Sequence, residues 1–501
     1  AMKLLLSLGL AAAALAAPVF DVTSHGARGD GRTRDTAAIQ SAIEACHQAG
    51  GGLVYFPPGR FLSGTLVLKS NVTLHLSPGA TLVGSPRIAD YNSRHLIYAR
   101  RANNIAIEGG GSIDGNGGAF WISDHVRPEH RPSPLVELVE CTGVRVQNVR
   151  ILDFPGWCLH PLLCDGVTIR EVTIIAPMFW LNTDGIDPDS SRNVHISNCY
   201  IRAGDDCIVL KTTGRAGLPA PACENVTVTN CVLVSSASAL KLGTESHGDF
   251  RNVNFSNCVI RGSRTGIALL AKDGGVMEAI RFSNIVMETH PKHGRGVEWP
   301  IVVDLEQRSA RSRLGKIRDV SFSDIQIRTR GRILVSGMPS SPLEQISFHN
   351  LTMRIEGFEG IEGASKLRGG TVEKVPGVVD LGPAPAALIF GHVTGLLLRG
   401  IRVLWPASAS APPRHALYAT HVDGLQIEDF IGRPAGAETP LAALGLDRSR
   451  GIFVTRSRVA APTSIWIGLR GTAPEQVTLL DNDVRAAGRV LAEGATYAHL
   501  P

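Results

Sequence analysis

The chain is poor in several things at once, and each shortage excludes something. Aromatic residues are only 5% of its 501 residues, and 54 glycines accompany just 15 Phe and 6 Trp. That balance suits an all-β repeat protein rather than a helical bundle. No stretch approaches eighteen consecutive apolar residues, so no segment reads as a membrane-spanning helix. Neither sign of charge dominates: 50 basic against 45 acidic residues leave +5. This mild excess permits an acidic substrate. It does not argue for nucleic acid, because no basic run or aromatic-basic module goes with it. Finally, no C-x-x-C pair or histidine cluster has zinc spacing, so neither a metal site nor a cofactor is expected.

What is present begins with an export signal. Lys3 supplies the positive start, Leu4 to Leu15 the apolar run, and Ala14-Leu15-Ala16 the cleavage site. The mature chain is expected from Ala17, secreted or periplasmic, with its nine cysteines in an oxidising compartment. Cys207 and Cys223, sixteen residues apart beside an acidic cluster, are the preferred disulfide, and Cys158 with Cys164 is a second candidate. Cys199, Cys231 and Cys258 each follow an asparagine at one repeat position and read as stacked, buried free thiols.

One helix is expected between residues 25 and 50. Asp35 or Thr36 would cap it, Ala38, Ile39, Ala42, Ile43 and Cys46 form its apolar stripe, and Gly50-Gly-Gly52 ends it. An isolated amphipathic helix ahead of many strands is what covers the open end of a solenoid, so residues 17–52 read as an N-terminal cap. The solenoid itself is visible as a repeat. Asn193-Val-His-Ile-Ser-Asn-Cys199 returns at Asn225–Cys231, Asn252–Cys258 and Ala279–Ile285, with Val194, Val226, Val253 and Ile280 stepping by 32, 27 and 27. Weaker copies follow at Val320, Ile346, Leu396, Leu425, Ile452 and Val477, so 17–501 reads as one domain. Asn198, Asn230, Asn257 and Asn284 recur in register, as an internal amide ladder would. Residues 360–387 lack the pattern and read as a large surface loop.

The chemistry concentrates in Asn182-Thr-Asp-Gly-Ile-Asp187 and Gly204-Asp-Asp-Cys207. About 22 residues of strand, turn and strand separate them, roughly one solenoid coil, and adjacent coils lie about 4.8 Å apart. Asp184, Asp187, Asp205 and Asp206 would then sit side by side. Acid-rich turns also occur in solenoids simply as solvated or Asx-turn positions.

These two motifs, with the Gly26-Ala-Arg-Gly-Asp30 entry and the repeats, resemble the polygalacturonase family of pectin-cleaving glycoside hydrolases. The resemblance covers most of the chain and implies an all-β, right-handed parallel β-helix. It implies Asp205 as general acid, Asp184 and Asp206 as the carboxylates that hold and activate water, and inversion at the anomeric centre. It also matches the family's disulfide to Cys207 and Cys223. The implied partner is a pectic poly- or oligosaccharide, with an exo-acting polygalacturonase or a rhamnogalacturonan-type hydrolase favoured. An α-L-rhamnosidase, or a non-catalytic glycan-binding β-helix, is the alternative. A monomer is expected. The chemistry agrees with the resemblance: glycoside hydrolysis needs one protonated and one ionised carboxyl, and crowding like charges splits their pKa values.

The chain also departs from the family. With Ile186, Ile208, Leu240 and Ile267 as register, the family's histidine position holds Ser238, and its uronate-gripping Arg and Lys fall on Ala268 and Leu270. Lys241 and Lys211 occupy the same two columns one and two coils earlier, and are the expected replacements. Asn182, Asp187, His247 and Lys272 complete the expected substrate-binding set, with Arg264 and Lys292 adding charge from loops. A lone loop histidine such as His247 and solvated solenoid lysines are equally ordinary features.

Overall fold

The computed structural model describes residues 17–122, 130–214, 220–290, 297–358, 380–406, 411–436, 440–459 and 461–496. The expected signal segment, 1–16, lies outside the described residues. The repeat reads directly into the architecture. Val194 pairs with Val226, Val226 with Val253, and Val253 with Ile280. The column continues without a break through Val320, Ile346, Leu396, Leu425, Ile452 and Val477. Every one of these pairings is parallel, and the chain is a right-handed parallel β-helix. Along a strand such as Phe250–Ile260 the inward residues are Phe250, Val253, Phe255, Cys258 and Ile260; strict alternation slips by one residue at Asn252 and Asn257, where φ is positive. Like side chains therefore stack on like. Phe255, Phe282, Phe322 and Phe348 form a ladder of parallel rings, with successive centroids 4.7, 5.2 and 4.6 Å apart.

The asparagine ladder is not internal. Asn198, Asn230, Asn257 and Asn284 are exposed and have φ between 51° and 56°. They stand where the coil turns through the left-handed region, which Asn tolerates better than most residues. The first asparagine of each repeat does the same, and the Asn225 and Asn252 amides each donate to the preceding coil's asparagine at 3.1 Å.

The helix Thr36–Gln48 buries Ile39, Ala42, Ile43 and Cys46 against the first strands. Asp35 precedes it but does not cap it; its carboxylate instead accepts from the Arg28 and Gly29 amides at 2.8 and 3.0 Å. Within the stretch read as loop, residues 360–379 lie outside the described residues, and the strand Ala386–Leu404 already includes its last two positions.

The expected disulfide is not formed: all nine cysteines are free and buried. The five-residue strand Ile208–Thr212 runs away from Cys207 before the chain returns to Cys223. Cys207 Sγ lies 3.3 Å from the Val234 carbonyl and Cys223 Sγ 3.7 Å from that of Pro188. Each thiol thus fills its own place in the core. Cys158 and Cys164 are likewise unpaired.

Candidate active site

The site forms where four coils stack at Ile186, Ile208, Leu240 and Ile267, in the register read from the sequence. Two glycines make the stack possible. A Cβ on Gly185 would lie 2.5 Å from the Cys207 carbonyl oxygen, and one on Gly204 would lie 2.5 Å from the Pro177 and Trp180 carbonyl oxygens and the Thr183 hydroxyl. Backbone can approach backbone only because these positions carry no side chain, which brings the Asp184 coil down onto the Asp205–Asp206 turn.

One carboxylate oxygen from each of Asp184, Asp205 and Asp206 lies within 4.8 Å of the others. Asp184 and Asp206 are buried, whereas Asp205 keeps part of its surface open. Burial pushes Asp205 up, the Asp206 charge adds to it, and the Asn182 amide donates to its carboxylate at 2.9 Å. Asp206 feels the same burial, but the Lys241 ammonium, 2.7 Å away, together with Lys211 holds it below the ordinary carboxylate range. Asp184 is driven well up by burial and by the charges of Asp187 and Asp205. The three acids are therefore held in unequal protonation states by their surroundings.

Both lysines picked out by register lie here, but neither is turned free toward the cleft. Lys211 Nζ sits 3.7 Å from Asp184, 3.5 Å from Asp187 and 3.6 Å from Glu245, and 4.3 Å from the centroid of the Trp157 ring. Burial alone would lower its pKa, and those carboxylates reverse the shift. A set of three carboxylates at this separation could also hold a divalent cation. Here two ammonium groups already supply positive charge to it.

Other expected contacts are corrected. Lys272 is fully enclosed and its ammonium lies 3.1 Å from Glu306, so it cannot touch a substrate. Asp187 is also fully buried, so it cannot touch a substrate; its pKa is raised to about 7 by burial, against the pull of Lys211 and His160, and it acts on the site through Lys211 and through its charge on Asp184. His247 stays at the rim, Nε2 3.9 Å from Asp273, whose carboxylate two nitrogens of Arg308 grip at 2.7 and 2.8 Å. Lys292 lies outside the described residues. Ala268 and Leu270, at the clamp positions, are buried in a second apolar cluster outside the coil interior, with Trp299, Val302, Leu334, Leu381 and Ala384 among its members.

Several participants were missed. Glu245 reaches Lys211 because the strand pairing slips between Leu210↔Leu242 and Thr212↔Ser246. The Gly-Thr pair before Glu245 was the available signal. His160 is clasped by Glu137 at 2.7 Å and Asp189 at 3.5 Å, and keeps its proton to about pH 9 despite its burial. Glu137 and His160 lie in the column of Asp187 and Lys241, two coils and one coil before Asp187, so the same register would have found them.

Comparison with known proteins agrees with this geometry. Residues 46–357 match the model of glycosyl hydrolases family 28. The chain is 31% identical over 260 residues to a probable polygalacturonase of Vitis vinifera, covering 46% of this chain and 52% of that one. It is 32% identical over 199 residues to an exopolygalacturonase of Zea mays, covering 38% and 48%. The chain thus spans about half the length of the curated relatives it matches. Among solved structures, the exopolygalacturonase of Thermotoga maritima aligns with a TM-score of 0.58 at 25% identity, over 68% of this chain and 88% of that one. The family 28 exopolygalacturonase of Yersinia enterocolitica shares the fold, with a TM-score of 0.60 at 18% identity, over 83% and 79%. Carboxylate cluster, coil register and family match coincide in one stretch, and the chain belongs to glycosyl hydrolases family 28.

Proposed function

We propose that this chain is a glycoside hydrolase cleaving uronic-acid-containing pectic polysaccharide from a chain end. The observation that carries the reading is the opposed tuning of two neighbouring acids, Asp205 held up and Asp206 held down. Asp205, partly open and with its pKa raised, delivers the proton to the leaving oxygen. Asp206, kept ionised by Lys241, activates water, with Asp184 completing the water's cradle. Lys211 and Lys241 serve the acids rather than gripping a uronate. For that grip the described residues offer Arg264, which stands one coil beyond Ala237 beside the cluster and has no carboxylate partner.

Action at a chain end is supported by the apolar cluster over Ala268 and Leu270. Past Lys241, the outward positions that would continue the cleft, Ala268, Val302 and Leu334 in successive coils, are buried in one apolar cluster. A glycan can then extend from the acids in one direction only. Inversion rests on family membership, since oxygens within 4.8 Å are closer than the roughly 6.5–9.5 Å that leaves room for an attacking water.

The test is product analysis on polygalacturonan and rhamnogalacturonan fragments, with proton NMR of the first sugar released. Monosaccharide or short terminal products, with viscosity falling slowly, support the reading. Rapid loss of viscosity removes the chain-end assignment, a first product that retains its anomeric configuration removes inversion, and no hydrolysis of either polymer removes the activity.

A further inference from the structure

Among the described residues few large apolar side chains are exposed to water, and three of them flank the Trp121–Trp180 ring pair just ahead of the acids. Ile122 is 81% exposed, Leu181 48% and Phe179 40%. Beneath them the Trp121 and Trp180 rings lie parallel, 5.1 Å apart at 12°, with the Phe179 ring edge-on to Trp180 at 6.2 Å. The Arg131 guanidinium sits 5.9 Å from the centroid of Trp121. The ring pair is held from the carboxylate side as well. The Trp180 carbonyl accepts from the Thr183 hydroxyl at 2.8 Å, and the next amide but one, that of Asn182, donates to Asp205 at 2.9 Å.

We propose that Phe179 and Leu181, backed by the buried Trp180 and the half-buried Trp121, form a sugar-binding shelf next to the catalytic carboxylates, taking one pyranose ring of the bound chain by its C–H face. This rests on the glycan-hydrolase reading and adds a subsite to it. An exposed aromatic patch on a solenoid turn costs solubility unless something covers it. A sugar ring suits it, having an apolar face that an aromatic ring can cover while its hydroxyls stay in water. The position favours substrate over another partner. Only two residues separate Phe179 from Asn182, three steps or at most about 11 Å of chain. With the cleft sealed past Lys241, a glycan leaving the acids runs back toward the coils that carry Trp121 and Trp180. The sequence signal was Met178-Phe-Trp-Leu181, four large apolar residues in a turn where solvated residues are the rule.

The test is steady-state kinetics of wild type, Phe179→Ala and Phe179→Tyr on a ladder of pectic oligosaccharides, from the shortest one cleaved upward. The expected result for Phe179→Ala is unchanged kcat/KM on the shortest substrate and a loss of about tenfold, chiefly in KM, once the oligomer is long enough to reach the shelf. Phe179→Tyr restores it. An equal loss at every length, or no loss at any length, overturns the shelf. Failure of the underlying reading is distinct, because wild type then cleaves no oligomer. In that event the same ladder is titrated against tryptophan fluorescence. Saturable quenching that Phe179→Ala abolishes keeps the shelf, and the absence of quenching by any oligomer removes it.

Discussion

The Lys241 ammonium stands 2.7 Å from an Asp206 carboxylate oxygen, with its side chain 13% exposed and that of Asp206 3%. A buried pair this close fixes the charge of both partners, so the lysine sets which acid in the cluster stays ionised. Replacing it with methionine keeps the stem and removes the charge. Burial then dominates at Asp206 and its pKa rises, so the acid limb of the kcat/KM profile moves to higher pH. Lys241 also lowers Asp205, and the alkaline limb moves the same way by less. Lys241→Arg should keep the wild-type profile in part. A pH profile unmoved by Lys241→Met, whatever the rate, would show that the lysine does not tune the base.

Asp205→Asn tests the acid. An amide cannot deliver a proton, so turnover on a natural glycan should fall by on the order of 10²–10⁴. Circular dichroism and Tm should stay near wild type, because the hydrogen bond that the carboxylate accepts from the Asn182 amide can also be accepted by an amide oxygen. A substrate with an activated leaving group should recover much of the loss. Near-wild-type turnover on the natural glycan would remove the assignment.

The coil register was legible because a parallel solenoid places equivalent residues on top of one another, so spacing in the chain is position in space. That is why Val194 through Val477 line up as read, and why Asp184, Asp205 and Asp206 converge. Charge partners were not legible in the same way. Lys211 and Lys241 were assigned to the right columns, but the spacing could not say whether an ammonium turns outward to substrate or sideways to a carboxylate one coil away. Glu245 was hidden by the slip in pairing after Leu242, which breaks the one-to-one register on which the argument relied. The asparagine ladder was placed inside because periodicity marks a face without saying which face. Only the positive φ settles that.

The sequence places Lys272 among the substrate contacts, and its surroundings predict a different phenotype. It is 0% exposed, paired with Glu306 at 3.1 Å. Lys272→Ala leaves a carboxylate buried without that counter-charge and should cost about 3–5 kcal/mol in urea unfolding. The protein that remains folded should show wild-type KM. A raised KM with unchanged stability would return Lys272 to the cleft.

The thiols give a simpler test. With Cys207 and Cys223 held by separate carbonyls, alkylation of the unfolded, unreduced protein should modify all nine cysteines. Dithiothreitol should leave Tm unchanged. A mass two hydrogens short, or a Tm lowered by reductant, would restore the disulfide that the spacing had favoured.

The last prediction concerns the vacated clamp. If Ala268 and Leu270 faced an open subsite, restoring the family's Arg and Lys there would create a uronate grip and improve oligogalacturonate binding. In the structure both positions are at most 1% exposed, packed with Trp299, Val302, Leu334, Leu381 and Ala384. A guanidinium at 268 would have to enter this buried apolar cluster, so it would either stay desolvated or force its neighbours apart. Ala268→Arg should therefore destabilise the fold by more than about 4 kcal/mol, among the larger effects of a single substitution. Ala268→Leu, which adds bulk without charge, should cost less, about 1–3 kcal/mol. The comparison separates charge from size, and both are read by urea unfolding. If Ala268→Arg folds as stably as wild type and lowers KM for oligogalacturonate, the cover over this column lifts in solution, and the cleft continues past Lys241 as it does not in this structure.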